Sequence, residues 1–260
     1  TRIPLFKQSI DTRHVDRYSW NEPPRVSFGQ GWARRGAGVL FREVVRIYPP
    51  LLPICAAQSP AAEIAQGRTP SLAELRLHQS TVWLWNRPIY DDADGGMLRI
   101  EMRSLPAGPT AVDMVANAAF LIGLAEGVRP RIHQLLSGIP FGIAEYNFYR
   151  AAQHGLDAKL VWPEFDQSGF AEQDVCAIIE KMLPLAQRGL DSIGVAPAES
   201  ARYLGVIQRR LERRQTGAIW QQKMLAGLSA TRSREAALHQ LLEVFIKHST
   251  DNQPVADWPL

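Results

Sequence analysis

The residues best suited to chemistry lie on a short alternating stretch, LRIEMRS, at residues 98–104. Two-residue spacing places Arg99, Glu101 and Arg103 on one face of a strand. A carboxylate between guanidinium groups is a candidate ligand for Mg²⁺, with the arginines neutralising phosphate oxygens. The same face is equally consistent with a solvated sheet surface on which Glu101 pairs with arginines, and the spacing alone leaves both interpretations open.

The preceding stretch LHQSTVWLWNRP, residues 77–88, is rich in Thr, Val and Trp and predicts a partner strand. An acidic connection, IYDDADGGM, links the two stretches and predicts a β-hairpin over residues 77–104. One face of the predicted strand carries His78, which could belong to the site or could be a structural histidine whose ring is satisfied by its neighbours. The opposite face carries Gln79, Thr81, Trp83, Trp85 and Arg87, and core packing remains an alternative role for the tryptophans.

Composition limits the class of protein. The chain has 260 residues, 46% of them hydrophobic, and a formal net charge of +3. This charge is too balanced to indicate nucleic acid as the main partner. No run of eighteen apolar residues occurs, so we expect no membrane partner. The only cysteines, Cys55 and Cys176, are far apart and form no disulfide framework, which favours a cytoplasmic location.

Organisation along the chain predicts an α+β fold with two parts. Residues 1–32 are expected to form short extended pieces, and GVLFREVVRIY (38–48) a helix. After Pro109 the pattern is mainly helical, and TAVDMVANAAFLIGLAEGV begins with a capping Thr110 and an acid three residues later. Further helices are predicted at 141–154, 171–188, 198–214, 217–228 and 231–249. The expected parts are a strand-rich half-domain at 1–109 and a helical region at 110–260.

These segments resemble a known family. LHQSTVWLWNRP, the acidic loop and LRIEMRSLPAGPTAVDMVANAAFLIGL are similar to the second half of the glutamate–cysteine ligase type 2 family. TRIPLFKQSIDTR, PRVSFGQGW, TGAIWQ and PVADWP are also similar to that family. The resemblance implies antiparallel strands of a glutamine-synthetase-like half-sheet followed by a helical region.

The resemblance also implies an activity. Such ligases use ATP to phosphorylate the γ-carboxylate of glutamate, and an amine, typically that of cysteine, displaces phosphate to form a γ-glutamyl amide. This chemistry uses Mg²⁺ and cationic groups around the transferring phosphoryl group. By the resemblance, Glu101 is a metal ligand, Arg103 contacts phosphate, and Arg87 is catalytic and binds substrate carboxylate or phosphate. The other residues expected to bind glutamate or ATP are His78, Thr81, Arg99 and Arg2, with Arg13 on the same strand as Arg2.

One departure changes the expectation for this chain. The other metal carboxylates of the family lie in the first half of the full-length enzymes, and no such segment is found in this sequence. A single carboxylate holds at most a largely hydrated Mg²⁺ ion. We therefore expect the C-terminal portion of a ligase, with the missing N-terminal half as its partner and an uncovered half-sheet that favours self-association.

Two other functions stay open. The chain is also consistent with a non-catalytic helical interaction or regulatory domain that retains the ligase hairpin as a scaffold. A ligase for an amine other than cysteine is a further alternative, since no residue in the sequence is identified as recognising a thiol.

Overall fold

A computed structural model describes residues 2–13, 21–164 and 169–260. The chain divides into two compact units, unit 1 at Thr1–Pro106 and unit 2 at Ala107–Leu260. Both helices and small sheets are present, which is the mixed α+β composition expected from the sequence.

Within its described residues, unit 1 contains four short α-helices and four strands. They are α1 (Ile3–Ser9), β1 (Val26–Ser27), α2 (Gly38–Ile47), α3 (Pro60–Ala65), α4 (Ala73–Ser80), β2 (Trp83–Leu84), β3 (Asn86–Asp91) and β4 (Met97–Met102). Strands β1 and β2 form a two-residue parallel pair. Strands β3 and β4 form an antiparallel hairpin in which Arg87 lies opposite Glu101.

The predicted hairpin is present, but the prediction of its first strand was wrong before Trp83. Residues 77–80 belong to helix α4, and the paired strand of the hairpin starts only at Asn86. The segment AELRLHQS contains mostly good helix formers, whereas the β-branched and aromatic residues begin at Thr81. The predicted strand therefore began too early, because the residues that favour a strand start at Thr81 and residues 77–80 end a helix.

The prediction of extended structure at the beginning of the chain was also wrong, because Ile3–Ser9 form α1. Pro4 occupies the first turn of α1, where its missing N–H costs no intrahelical bond. Ile3 is buried and Phe6 packs against Trp83, so tertiary packing holds this short helix in place. Residues 14–20 of the same predicted stretch lie outside the described residues.

The apolar face of β4 is open to solvent. Leu98, Ile100 and Met102 are 58%, 46% and 41% exposed. Alternation along β4 therefore separates a charged face from an apolar face, as predicted, and within unit 1 the apolar face remains uncovered.

Unit 2 contains seven helices and one hairpin within its described residues. They are α5 (Ala111–Val128), α6 (Ile132–Gly138), α7 (Phe141–His154), β5 (Lys159–Glu164), β6 (Gly169–Asp174), α8 (Val175–Ser192), α9 (Pro197–Glu212), α10 (Gly217–Ser229) and α11 (Arg234–Thr250). The hairpin β5–β6 was not predicted, and the helix expected at 171–188 starts at Val175 because residues 169–174 pair with β5. The Asn147 side chain fixes β5 by bonding both N–H and C=O of Val161, each at 2.8 Å.

Helix α5 was predicted with its cap. The Thr110 hydroxyl accepts the Asp113 N–H at 3.1 Å. A Cβ built on Gly189 of α8 would lie 1.9 Å from the carbonyl oxygen of Gly123, so the α5 and α8 backbones approach too closely for any side chain. Close backbone packing between these two helices therefore depends on glycine.

The segment Ala111–Gly138 is long and apolar enough to cross a membrane by length and composition, and 28% of an apolar 18-residue stretch within it is buried. The segment is interrupted by charged residues such as Asp113 and Glu126, and the expectation that no segment spans a membrane stays a prediction. Core helices pass the same test, and the contact of α5 with α8 uses part of its surface for packing inside unit 2.

The first and last segments of unit 2 meet around a buried carboxylate. Asp113 is fully buried, and its Oδ1 accepts a hydrogen bond from Arg210 Nη2 at 2.7 Å. Its Oδ2 accepts the Val255 N–H at 3.0 Å. The side chain of Gln215 donates to the carbonyl oxygens of Val255 and Trp258, each at 2.9 Å. The Val255–Asp113 bond holds the C-terminal segment against the start of α5, and the Gln215 bonds hold it against the turn between α9 and α10.

Candidate functional site

The charged face of the β3–β4 hairpin carries a compact ion-pair cluster. Glu101 Oε2 accepts hydrogen bonds from Arg87 Nε at 2.8 Å and from Arg103 Nε at 2.9 Å. Arg87 Nη2 lies 2.7 Å from the same oxygen. The cross-strand register, which places Arg87 opposite Glu101, brings the three groups together.

Arg103 is the most enclosed cation of this cluster. Its side chain is 13% exposed, and its Cζ lies 4.6 Å from the centroid of the Trp83 ring. Its backbone N–H donates to the Trp85 carbonyl oxygen at 2.8 Å, which fixes the chain just after β4. Its Nη1 is buried and has no hydrogen-bond partner within residues 2–13, 21–164 and 169–260. A guanidinium stacked on an indole therefore keeps one nitrogen without an acceptor.

Arg2 comes to the cluster from the N-terminal cap of α1. Its Nε donates to the Arg103 carbonyl oxygen at 3.0 Å, and its Nη2 donates to the same oxygen and to that of Leu105. Phe6, one turn further on, lies 4.6 Å from Trp83 between ring centroids. Helix α1 thus adds a third guanidinium and an aromatic ring to the hairpin residues.

A cavity of about 220 Å³ opens among these groups. Its lining combines guanidinium groups, one carboxylate, aromatic rings and aliphatic side chains, namely Arg2, Arg103, Glu101, Phe6, Trp83, Trp85, Val26 and Leu84. Partly buried cations beside apolar walls strengthen the attraction for an anion, because the local dielectric constant is lower than that of water.

The ionisation of the cluster follows from its contacts. Partial burial opposes ionisation of Glu101, but the hydrogen bond from Arg103 and the charges of both arginines lower its pKa overall. Burial lowers the pKa of Arg103, and the nearby charge of Arg87 acts in the same direction. Arg103 remains charged at neutral pH, since an arginine side chain stays protonated in proteins. Two mutually repelling cations therefore share one carboxylate, which favours a further anion.

The donor set does not fit a magnesium ion. Glu101 Oε2 already accepts hydrogen bonds from two arginines, and a third guanidinium lies nearby. No group of three or more His, Cys, Asp or Glu residues suited to a metal is found in the described part of the chain. Mg²⁺ prefers several oxygen ligands in octahedral geometry. The assignment of Glu101 as a metal ligand therefore stays a prediction, and the cluster is better matched to an anion.

Among the contacts that the structure describes, none joins the side chain of His78 or Thr81 to the cluster of Arg87, Glu101 and Arg103. His78 lies on α4, and its Nε2 is 3.2 Å from the Val44 carbonyl oxygen of α2. The Thr81 hydroxyl donates to the His78 carbonyl oxygen at 2.8 Å and accepts from the buried Arg25 at 2.9 Å. Both side chains make structural contacts that join α4 to its neighbours, because their segment is helix and turn rather than strand.

Arg99 and Arg13 lie in other pairs. Arg99 Nη1 lies 2.7 Å from Asp91 Oδ2 across the hairpin. Arg13 pairs with Asp11 at 2.6 Å and with Glu22 at 3.1 Å. Of the residues predicted for the site, the structure brings together Arg2, Arg87, Glu101 and Arg103.

A second cavity of about 170 Å³ lies beside the cluster in unit 1. It is lined by Arg87 and Arg99 from the hairpin and by Gln79 from α4. Gln79 was noted in the sequence only as a residue of the presumed strand. The cavity depends on the packing of α4 against β3, and no local motif indicates it. Phe6 was missed for a similar reason, since its segment was expected to be extended.

Searches of protein-family models, of curated proteins and of solved structures found no match to this chain.

Proposed function

We propose that this chain supplies the anion-binding part of an ATP-dependent carboxylate–amine ligase of the glutamate–cysteine ligase kind. The observation that carries the proposal is that Arg2 and Arg103 line one cavity with a single carboxylate, Glu101, which Arg87 also binds from the opposite strand. Ligases of this class form an acyl phosphate, and guanidinium groups match the geometry of both carboxylate and phosphate.

The proposed roles follow from the position of each cation. Arg103 presents an unpaired buried nitrogen and is held by Trp83, so it binds an oxygen of the transferring phosphoryl group. Arg87 shares Glu101 with Arg103 and binds the adjacent carboxylate of the substrate. Arg2 points its guanidinium at the backbone after β4 and positions Arg103. Fixed cations of this kind stabilise charge that develops during transfer.

The reaction proposed for the intact ligase has two steps. A γ-carboxylate oxygen of glutamate attacks the terminal phosphorus of ATP, and ADP leaves. The amine then attacks the carbonyl carbon of the acyl phosphate, loses a proton and displaces inorganic phosphate. The described residues form no magnesium site, so this chain is assigned only the binding of the anionic groups in both steps.

Calorimetry provides the test. The chain and any longer product of the same gene are each titrated with ATP plus Mg²⁺ and with glutamate, and phosphate release is followed when cysteine or another amine is added. We expect the Arg103→Met variant to lose binding of the phosphate-bearing ligand and any phosphate release. Binding and turnover equal to those of the parent chain in this variant would rule out the proposal.

A non-catalytic role is the second candidate. It is favoured by the hydrogen bonds that Glu101 already accepts from Arg87 and Arg103. A carboxylate that already satisfies two arginines leaves a closed ion-pair network of the kind found in structural sheet faces. In that case neither ATP nor glutamate would bind to any form of the protein, whereas the Arg103→Met substitution would still lower stability.

A further inference from the structure

The second cavity of unit 1 contains a polar group with no partner. Gln79 is 5% exposed, and both its amide nitrogen and its amide oxygen are buried without a hydrogen-bond partner in the described ranges. A buried polar group without a partner destabilises the fold, and an amide has both a donor and an acceptor to satisfy. Gln79 also lines the adjoining cavity, so a group bound there can satisfy both atoms once the amide turns toward it.

The cavity is small and has apolar walls. Its volume of about 170 Å³ lies below the roughly 300 Å³ at which pockets for whole drug-sized ligands begin. Phe41, Leu75, Pro88 and Tyr90 contribute to its lining. The Tyr90 hydroxyl is already bonded to the Pro70 carbonyl oxygen at 2.6 Å, so the tyrosine offers mainly its ring. These walls suit a single flat ring system rather than an extended chain.

The rim of the cavity is cationic. Arg76, Arg87 and Arg99 belong to the lining, against one lining carboxylate, Asp91. Arg76 pairs with Asp92 and Arg99 with Asp91, each at 2.7 Å, and both arginine side chains are about half exposed. A flat ring that carries an anionic substituent would therefore meet an amide at its edge and guanidinium groups beyond it.

We propose that this cavity binds the adenine ring of an adenine nucleotide through Gln79. A glutamine amide can pair with adenine through two hydrogen bonds, since its oxygen accepts from the exocyclic amine and its NH₂ donates to N7. Aromatic and apolar walls accept a base face. This inference rests on the proposed function, because it names the part of unit 1 that holds the base of ATP.

The position of the cavity fits that assignment. Arg87 lines the Gln79 cavity, and its guanidinium bonds Glu101, which lines the cavity beside Arg103. One ion pair therefore adjoins both cavities. A nucleotide with its base at Gln79 has its phosphates on the arginine side of that pair.

The test compares adenosine with inosine by calorimetry on the full chain. Inosine has a carbonyl oxygen in place of the amine, so both positions facing the amide are acceptors and one contact becomes repulsive. We expect adenosine to bind about 10-fold to 100-fold more tightly than inosine. The Gln79→Met variant should lose this preference, and Gln58→Met, at an exposed position, should keep it.

Each outcome decides the proposal. Equal binding of the two nucleosides, no nucleoside binding, or an unchanged preference in Gln79→Met would overturn it, with water in the cavity then satisfying the amide. Urea denaturation of the variant confirms that it folds, and removal of an unpaired amide favours folding. Gln79-dependent adenosine binding, without phosphate release by either the chain or any longer product of the same gene, would refute the ligase and retain the base site. Phosphate release with an unchanged KM for ATP in Gln79→Met would retain the ligase proposal and refute the base site.

Discussion

The guanidinium of Arg103 lies over the indole of Trp83, with its Cζ 4.6 Å from the ring centroid. This contact joins the end of the β3–β4 hairpin to β2, and it holds the cation where one nitrogen lacks an acceptor. The indole face attracts the cation and also limits the directions in which it can move. The candidate site therefore contains a cation that is oriented before any ligand arrives.

Replacing Arg103 by Lys tests this orientation separately from the charge. The lysine ammonium keeps the charge but loses the planar fork and most of the stacking. We expect about 10-fold weaker binding of pyrophosphate, followed by tryptophan fluorescence because Trp83 reports on its neighbour. The exposed Arg46→Lys serves as the matched control and should bind as the parent does. Equal affinity in Arg103→Lys would show that charge alone matters.

The Glu101→Gln variant separates two roles of this carboxylate. If Glu101 mainly neutralises Arg87 and Arg103, its removal frees both cations, and pyrophosphate should bind several-fold more tightly without added metal. If it holds Mg²⁺, the same substitution should weaken metal-dependent ATP binding instead. Asp91→Asn, which removes the carboxylate paired with Arg99 on the same hairpin, is the control. Calorimetry with and without Mg²⁺ distinguishes the two results.

A single methyl group should disrupt the packing of α5 against α8. The Gly189→Ala substitution places a Cβ 1.9 Å from the Gly123 carbonyl oxygen, so the helices must separate. We expect a loss of several kcal/mol in the free energy of unfolding, measured by urea denaturation. In Gly227→Ala, on α10, the new Cβ meets no atom within 4 Å, and stability should rise by up to about 1 kcal/mol. Similar effects at both positions would contradict the described helix contact.

The buried pair of Asp113 and Arg210 should dominate the charge interactions of unit 2. In Asp113→Asn the 13% exposed Arg210 loses its counter-ion, and we expect a cost of about 3–5 kcal/mol. The pair of Asp157 and Arg214 is equally short at 2.6 Å, but its side chains are 83% and 48% exposed. Asp157→Asn should therefore cost no more than about 1 kcal/mol. Thermal denaturation of both variants at one pH gives the comparison.

Acid should weaken unit 1 through Asp11. The hydrogen bond from Arg13 lowers the pKa of Asp11 to about 2, helped by the backbone N–H of Arg25. A carboxyl with a lowered folded-state pKa stabilises the fold above its unfolded value of 3.8, and this contribution disappears as the pH falls toward 2. Because Arg13 is 40% exposed, screening reduces the effect to about 1 kcal/mol. Urea denaturation at pH 6 and pH 3 should show a smaller acid loss in Asp11→Asn.

The sequence predicted elements whose signals are local. Helix α5 was recognisable because Thr110 caps it and an acid follows three residues later. The hairpin β3–β4 was recognisable from alternation and its turn residues, which also placed Arg87 and Glu101 on one face. In each case the residues that form the sequence pattern also make the contact in the structure, namely the Thr110 cap of α5 and the pairing of Arg87 with Glu101.

Other parts of the site depend on contacts between distant segments. Arg2 reaches Arg103 across a sequence separation of 101 residues, from a short helix stabilised by packing rather than by its own propensity. The unpaired amide of Gln79 exists only because α4 packs over β3. Hydrophobic periodicity carries no information on either arrangement. The charged face was therefore predictable, whereas the depth and neighbours of each cation were not.

The meeting of Val255 with Asp113 has a consequence for the order of events during synthesis. The carboxylate lies at the beginning of unit 2, and one of its donors is 142 residues later. Until the segment that carries Val255 and Trp258 has emerged from the ribosome, Asp113 lacks this donor and the contacts of Trp258 are unmade. Unit 2 therefore completes its interior only once the segment that carries Val255 has emerged from the ribosome, which makes the nascent chain a natural client for chaperones.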